Sequence, residues 1–464
     1  MKNLMISVLI FLSMANAFAD EAPITHFVVN PQTLRERFLS DSTTVFSAAN
    51  QVHKAKDQLN LARTQLLPSI NLGALLGTMV NPTFVLASVE YTLPFLIPSK
   101  WFQKASAKRL MEAERVAFLV SELNVYSSLY SLYIQILSDF KSREFVAQDL
   151  RDVILIENIV AREYELGEAT EQDLQLTRSE TMMAKVRLNR FEELLVQEIA
   201  TLRESIDLPQ ETQIEFAGFE MISSPLEDLD LAPATDMAKN QAPEYEQIRW
   251  LVEAAKWERW SGLFGFISSA SASNQLNPMA GQKHASTAFN AQSGSYGFHF
   301  GFDYFPALSL SNRNRDTLTL RSEEMNGEIS NLVETLLGRM QYVQKRKQEA
   351  NQSEAAMRSV FENERRQFAI GQVSLRELLV IQGKARQAAL ESLRADTDVN
   401  LIRVALHRLI RTDQFALFYG CENLPDVPVE KTRWWQFWRW YKSKDAPICN
   451  PDAVEKKFSG GQAS

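Results

Sequence analysis

Few residues of this chain have the types and spacing that chemical catalysis needs. The five histidines are scattered and lack metal-ligand spacing: His26, His53, His284, His299 and His407. There is no Gly-x-Ser-x-Gly, no phosphate-binding loop and no His-Glu-x-x-His. We therefore predict no catalytic, cofactor-binding or metal-binding residues and expect that the protein is not an enzyme. A formal net charge of −8 argues against a nucleic-acid partner.

Two acidic residues occupy equivalent positions in the two halves of the chain. Asp173 and Glu377 each lie six residues after a glycine. They could line a narrow pore, where carboxylates favour cations. They also fit helix-start signatures, Thr170-x-x-Asp173 and Ser374-x-x-Glu377, in which the acid caps backbone N–H groups. The sequence leaves both roles open, and one residue can serve both.

The N-terminus has the organisation of an export signal. Lys2 precedes the apolar stretch 4–12, and Ala17-Phe18-Ala19 offers a signal-peptidase site before Asp20. We expect residues 1-19 to be a signal peptide and the mature chain to be exported across the inner membrane. In an oxidising compartment Cys421 and Cys449 could form a disulfide, although their spacing does not show whether they meet.

Long helices are predicted where glycine and proline are absent. Residues 101–166 and 168–208 contain neither, and Gly167 separates the two stretches. Apolar residues alternate in steps of four and three, which is a heptad pattern that we call the seam: Leu119, Leu123, Tyr126, Tyr130, Tyr133, Leu137 and Phe140. The pattern predicts a long helical hairpin, although an ordinary antiparallel bundle would show the same periodicity.

The second half of the chain repeats the first at a displacement of 204 residues. Arg366-Gln-Phe-Ala-Ile-Gly371 echoes Arg162-Glu-Tyr-Glu-Leu-Gly167, and Leu174, Leu202 and Ile206 pair with Leu378, Leu406 and Ile410. Residues 307–419 contain no proline, and Gly371 again separates two helical arms. We therefore predict an internal two-fold repeat with two long hairpins.

A pair of strands is predicted before each hairpin. Positions 85, 87, 89, 91 and 93 are apolar and positions 88, 90 and 92 are polar, and we expect the partner of this strand at 69–78. In the second pair, 264–273 precedes a polar loop at 274–293 and then five aromatic residues at every other position: Tyr296, Phe298, Phe300, Phe302 and Tyr304. This pattern predicts a lipid-facing barrel strand, although a soluble antiparallel sheet is the alternative.

Four strands are too few to close a barrel, and an open sheet edge in lipid leaves backbone groups unpaired. Three copies would supply twelve strands. We therefore predict a mainly α-helical chain with a transmembrane β-barrel, formed by a homotrimer with four strands per protomer.

Three features together resemble the TolC / outer-membrane efflux protein family. One is the helix end at 59–70, with Leu66-Leu67-Pro68 before the first strand. Another is the duplicated Arg-x-Phe/Tyr-x-x-Gly turn, followed in each copy by an acidic residue and a leucine. The third is the order helix, strand pair and long hairpin, found twice. The second copy departs from the pattern with Gly265 in place of Pro68, and residues 95–99 replace the usual Phe-Asp-Gly-Gly.

The resemblance implies a passive exit duct in the cell outer membrane with a periplasmic helical tunnel. Such a channel serves a tripartite efflux pump or a type I secretion system, with a periplasmic adaptor and an inner-membrane transporter as partners. It places the pore gate at Asp173 and Glu377 and the adaptor-docking turns at Leu166, Gly167, Ile370 and Gly371. The alternative is a non-conducting structural or adaptor protein that spans the periplasm.

These predictions divide the chain into consecutive parts. Residues 20-208 form the first repeat, with strand pair 69-95 and hairpin 101-208, and residues 209-242 connect the repeats near the equator of the tunnel. The second repeat spans 243-412, with strand pair 264-305 and hairpin 310-411. The tail 413-464 is rich in tryptophan at 433-442, which suits either a membrane interface or packing against the connector.

Overall fold

The computed structural model describes residues 26–41, 43–67, 69–70, 88–92, 94–218, 221–275, 290–298 and 304–418. The predicted signal peptide, both cysteines and the tryptophan-rich tail lie outside these residues. Within the described ranges, no helix has a stretch apolar enough, over sufficient length, to span a bilayer.

Most described residues are helical, and two pairs of long helices dominate. The Pro98 ring occupies the first helical position of the longest helix, where its missing N–H costs nothing. The α-helices are α1 (Pro31–Asp41), α2 (Thr43–Thr64), α3 (Pro98–Glu165), α4 (Glu171–Ser205), α5 (Leu231–Gln241), α6 (Pro243–Leu263), α7 (Tyr304–Phe368) and α8 (Leu375–Ile410). The predicted long helices of both repeats are therefore present.

The strands form two sheets. The strands are β1 (His26–Val29), β2 (Ser69–Ile70), β3 (Ser88–Thr92), β4 (Gln213–Phe216), β5 (Ile267–Gln275) and β6 (Asn290–Phe298). Strands β1 and β4 pair in parallel, with His26 opposite Gln213. The other four strands pair antiparallel in the order β2-β3-β5-β6, so the two predicted strand pairs meet between β3 and β5.

Some sequence predictions for the second strand pair were wrong at the boundaries. Tyr304 begins α7 instead of ending a strand, and Phe300 and Phe302 lie outside the described residues. Residues 274–275 and 290–293, expected in a loop, belong to β5 and β6. Their small and polar side chains pointed to a loop, but cross-strand hydrogen bonds do not require apolar side chains.

The sequence also gave no indication of β1, α1, β4 or α5. Each is short and lacks a clear period, so tertiary pairing determines its conformation more than local pattern does. A 3₁₀ turn follows each hairpin: Pro225–Asp228 lies before α5, and Asp413–Leu417 lies after α8.

The chain forms two compact units, and each draws segments from both repeats. The first contains the described residues within 1–42, 128–222 and 344–401, and the second those within 43–127, 223–343 and 402–464. In the first unit, the Tyr133 hydroxyl donates to the Ala217 carbonyl at 2.5 Å. In the second, the buried Tyr126 ring packs edge-on against Phe415, with 5.2 Å between centroids.

The seam on α3 is buried from Leu119 to Tyr133, as its spacing predicts, and Leu137 and Phe140 are half-buried. Leu123, Tyr126, Tyr130 and Tyr133 have no exposed surface. Burial raises the pKa of Tyr133 to about 12 because its phenolate would lose hydration. The apolar period thus fixes which face of α3 points into the protein.

Candidate gate at the two hairpin turns

Both hairpins reverse direction through the same backbone geometry. Gly167 and Gly371 have φ of 80° and 74°, a conformation that favours glycine. The Gly167 N–H donates to the Tyr164 carbonyl, and the Glu168 N–H donates to the Glu163 carbonyl at 2.7 Å. The corresponding bonds at Gly371 reach Phe368 and Gln367. Each turn is therefore a Schellman motif that satisfies the last carbonyls of its long helix.

The glycines are required by conformation and not by crowding. A Cβ atom built on Gly167 or Gly371 would meet no atom within 4 Å. A substitution at either turn would thus strain the backbone while leaving the space around it free.

Asp173 forms a capping box with Thr170 at the start of α4. The Asp173 N–H donates to Thr170 Oγ1 at 3.2 Å, and the Thr170 N–H donates to Asp173 Oδ2 at 3.2 Å. The threonine hydroxyl also donates to the same carboxylate oxygen at 2.6 Å. These bonds satisfy two backbone donors that the helix itself cannot pair.

Glu377 makes the equivalent bonds in the second repeat. The Ser374 N–H donates to Glu377 Oε2 at 3.2 Å, and the Glu377 N–H donates to Ser374 Oγ at 3.3 Å. The backbone bond, and then the side-chain bond, lower the pKa of Glu377 because both favour the carboxylate. Both acids therefore cap helices. Because the pKa of Glu377 is lowered, this residue keeps its negative charge at neutral pH while it caps.

An apolar cluster joins the two turns within the first unit. It takes side chains from all four long helices: Ile156, Val160, Leu174, Phe368, Leu375 and Leu378. The repeat partners Leu174 and Leu378 are 6% and 0% exposed. The cluster holds the ends of both hairpins together, so the two predicted acids belong to one local structure.

The apolar side chains at the turns point away from this cluster. Leu166 and Ile370 are 69% and 68% exposed, respectively. Nothing in the described residues covers either side chain, and a large apolar side chain left in water is a common mark of an interaction site. The first turn is also acidic, and burial, followed by the negative charges of Glu168 and Asp173, raises the pKa of Glu163.

Arg365 links the second hairpin to the first near the turns. Its Nη1 lies 3.4 Å from Asp152 Oδ1, which connects α7 with α3. The Asp152 side chain is 18% exposed, so its charge is partly screened from water. Sequence analysis missed this pair because the partners are 213 residues apart.

A second polar contact is buried deeper in the same unit. Asp149 on α3 accepts from Gln382 Nε2 at 3.0 Å and from Arg386 Nη1 at 3.3 Å, while Arg187 on α4 lies at 3.8 Å. Asp149 follows Val146 on the buried side of α3, where an acid is unexpected. A charged residue in an apolar row was the one sequence signal that could have revealed this network.

Asp139 and Glu198 form a carboxyl pair between α3 and α4. Glu198 is 8% exposed. Burial, followed by the charge and hydrogen bond of Asp139, raises the pKa of Glu198 to about 7. Burial also raises the pKa of Asp139, and the hydrogen bond with Glu198 and then the charge of Arg394 partly offset this rise. The pair therefore tends to share one proton near neutral pH.

Across the ranges covered by the structure, no group of three or more His, Cys, Asp or Glu side chains could hold a metal ion. The two turns provide carboxylate charge at Asp173 and Glu377, exposed apolar surface at Leu166 and Ile370, and an ion pair between the hairpins.

The comparisons with known proteins agree with this architecture. No protein-family model and no curated protein matches the sequence. Among solved structures, the chain is similar to the Campylobacter jejuni CmeC outer membrane channel, with TM-score 0.69, 13% identity and coverage of 83% of this chain and 87% of that one. It is also similar to the Vibrio cholerae outer membrane protein VceC, with TM-score 0.67, 12% identity and coverage of 82% and 96%.

A third similar structure is the open state of the Neisseria gonorrhoeae MtrE outer membrane channel, with TM-score 0.63, 13% identity and coverage of 82% and 88%. The chain therefore has a TolC-like fold, that of outer-membrane efflux channels, as the sequence resemblance implied. Identities this low establish the fold alone.

Proposed function

We propose that the protein is a passive outer-membrane exit duct of a tripartite efflux pump or type I secretion system. The observation that supports this best is the joining of both glycine turns through one apolar cluster. That arrangement gives two long hairpins a common end, as a closable tunnel needs. The TolC-like fold supports the same interpretation.

Three copies would complete the channel. Four of the described strands form one antiparallel sheet, in which β2 and β6 are the edges. Twelve strands from a homotrimer would pair these edges and enclose a pore in the outer membrane. Each copy would extend its hairpins into the periplasm.

The gate would lie at the turns. In a trimer, three copies of Asp173 and Glu377 would place six carboxylates around the periplasmic end of the tunnel. Opening requires that the hairpins separate there, which breaks or rearranges the contact between Arg365 and Asp152. The exposed Leu166 and Ile370 would dock a periplasmic adaptor, which connects the duct to an inner-membrane transporter.

Single-channel conductance in a planar bilayer tests this function. The purified full chain should insert as a trimer and give discrete current steps. A second variant carries cysteines in place of Ile156 and Leu378, two members of the apolar cluster that lie on different hairpins. If oxidation crosslinks them, conductance should fall and should return on reduction. A protein that folds and inserts yet never conducts would favour the structural role.

A further inference from the structure

An aromatic cluster lies in the second unit where helices meet the four-stranded sheet. The Phe102 ring on α3 lies 6.0 Å from Trp257 and 5.4 Å from Phe264, at the end of α6. Phe266 then stacks on Phe298, the last described residue of β6, at 6.4 Å. Rings from α3, α6 and β6 are therefore continuous at this end of the sheet.

Two tryptophans of this region remain half exposed. Trp101 on α3 and Trp260 on α6 are 49% and 47% exposed. The Trp101 indole N–H donates to the Phe95 carbonyl at 2.8 Å, which fixes the orientation of the half-exposed ring. Exposed tryptophan in an ordered position is typical of a boundary between an apolar and an aqueous phase.

On both helices, lysines lie further from the sheet than the tryptophans do. Lys104 lies one turn after Trp101, with its Nζ 5.3 Å from the centre of that ring, and Lys108 lies one turn further. On α6, Lys256 comes four residues before Trp260. Because a helix rises about 1.5 Å per residue, each nearest lysine is about 4–6 Å further from the sheet than its tryptophan.

The charges of these lysines are not neutralised within the described chain. Residues 98–111 of α3 contain four cations and no carboxylate. Arg109 pairs with Glu253 at 3.2 Å, and Lys100 donates to Gln65 at 3.3 Å. In the part of the chain that the structure describes, Lys104, Lys108 and Lys256 have no carboxylate within ion-pair distance.

We propose that Trp101, Trp260, Lys104, Lys108 and Lys256 form a collar that binds the phosphate headgroups of the bilayer leaflet nearest the helices. The inference rests on the proposed function, since it requires the sheet to lie in a membrane. Tryptophan then occupies the level of the headgroups and lysine reaches their phosphates from the water side. Both helices present this order, although one leaves the sheet and the other approaches it.

The repeat provides an internal comparison for the collar. At a displacement of 204 residues from Trp101, Lys104 and Lys108 stand Phe305, Leu308 and Asn312 on α7. Phe305 is 73% exposed, so an aromatic side chain is retained, but both lysines are absent. The α3 part of the collar therefore belongs to the first repeat, whereas Trp260 and Lys256 lie on α6 in the second, and each chain supplies one collar segment.

The first test measures retained lipid. The full chain is reconstituted in phosphatidylcholine mixed with phosphatidylglycerol, and phospholipid kept by the trimer is counted by native mass spectrometry. Replacing Lys104, Lys108 and Lys256 with Gln should lower retained phosphatidylglycerol at least about tenfold, since each surface cation contributes about 1 kcal/mol of attraction. The exposed Lys185→Gln on α4 is the matched control and should retain the wild-type amount.

The second test measures depth with brominated lipids. Bromine near the glycerol level should quench part of the tryptophan fluorescence more strongly than bromine deep in the chains. That difference should shrink in Trp101→Phe/Trp260→Phe. This variant keeps aromatic packing, so it remains informative if the lysine variant assembles poorly.

The outcomes separate the collar from the channel. Conduction with unchanged phosphatidylglycerol retention in the lysine variant would overturn the collar alone. A chain that never inserts would overturn both proposals. If inorganic phosphate stabilises the protein in neutral detergent through the same lysines, with no preference among lipids, the site takes free phosphate and the lipid assignment is wrong.

Discussion

Asp207 and Arg411 lie 204 residues apart and share a left-handed backbone, with φ of 49° and 52°. Each follows the last turn of the returning helix of its hairpin, and the next residue donates back to the helix: Leu208 to the Arg203 carbonyl and Thr412 to the His407 carbonyl, both at 3.0 Å. The duplication thus preserves helix termination even where side chains differ.

The two positions should respond differently to glycine. Asp207→Gly removes an unfavourable conformation at a site whose backbone carbonyl accepts from Arg37, so stability should stay equal or rise by up to about 1 kcal/mol. Arg411→Gly also removes the bond from Arg411 Nη2 to the Phe418 carbonyl at 2.7 Å, and stability should fall by about 0.5–1.5 kcal/mol. Denaturant unfolding of both variants checks this. Equal shifts for both would contradict it.

Neutralising both capping acids should change ion selectivity if they line the gate. Asp173→Asn with Glu377→Gln removes negative charge while keeping side-chain size, so cation preference should fall. Reversal potentials under a salt gradient measure this. The amides still accept a backbone hydrogen bond, and stability should drop only by a few tenths to about 1 kcal/mol per helix. An unchanged permeability ratio would mean that these residues are caps alone.

Breaking the link between the hairpins should favour the open channel. Arg365→Gln removes the cation beside Asp152, and a partly exposed ion pair contributes about 0.2–1 kcal/mol. Open probability in single-channel records should therefore rise by up to about fivefold. Arg358→Gln is the control, since Arg358 pairs at 3.7 Å with Glu362 on its own helix. A similar rise in that control would show that general helix destabilisation is responsible.

Stability should depend on pH through Glu198. Its pKa is raised from 4.5 to about 7, so the folded chain holds a proton that the unfolded chain releases at lower pH. The resulting stabilisation is fully present below about pH 4.5 and is lost as the pH rises through 7. Glu198→Gln removes this titration and should raise stability at pH 8 by roughly 1–3 kcal/mol relative to wild type.

Unfolding of the wild type and Glu198→Gln at pH 5.5 and pH 8 provides the measurement. The difference between the two proteins should be larger at pH 8. Glu192→Gln, at an exposed acid that pairs with Arg143 at 3.1 Å, is the control and should show no such growth. A constant difference would indicate that Glu198 is already ionised at the lower pH.

Sequence periodicity predicted the long hairpins, which depend on many residues, but it did not predict contacts that depend on one or two side chains. The heptad seam and the glycine turns identified both long hairpins, since these signals extend over dozens of positions. The partners of Asp149 and Arg365, which are Gln382 and Asp152, are set by how distant helices pack, and no local pattern identifies them. The Tyr296–Tyr304 alternation was extended too far because aromatic residues suit both a strand end and the following helix.

The parallel pairing of β1 with β4 affects the order in which the chain can fold. Residues 26–29 are synthesised early, because synthesis starts at the N-terminus. Their hydrogen-bonding partners at 213–216 follow only after the whole first hairpin. Closing so long a loop carries an entropic cost that the hairpin must first reduce. The segment 26–29 therefore stays unpaired until residues 213–216 and the first hairpin are available to it.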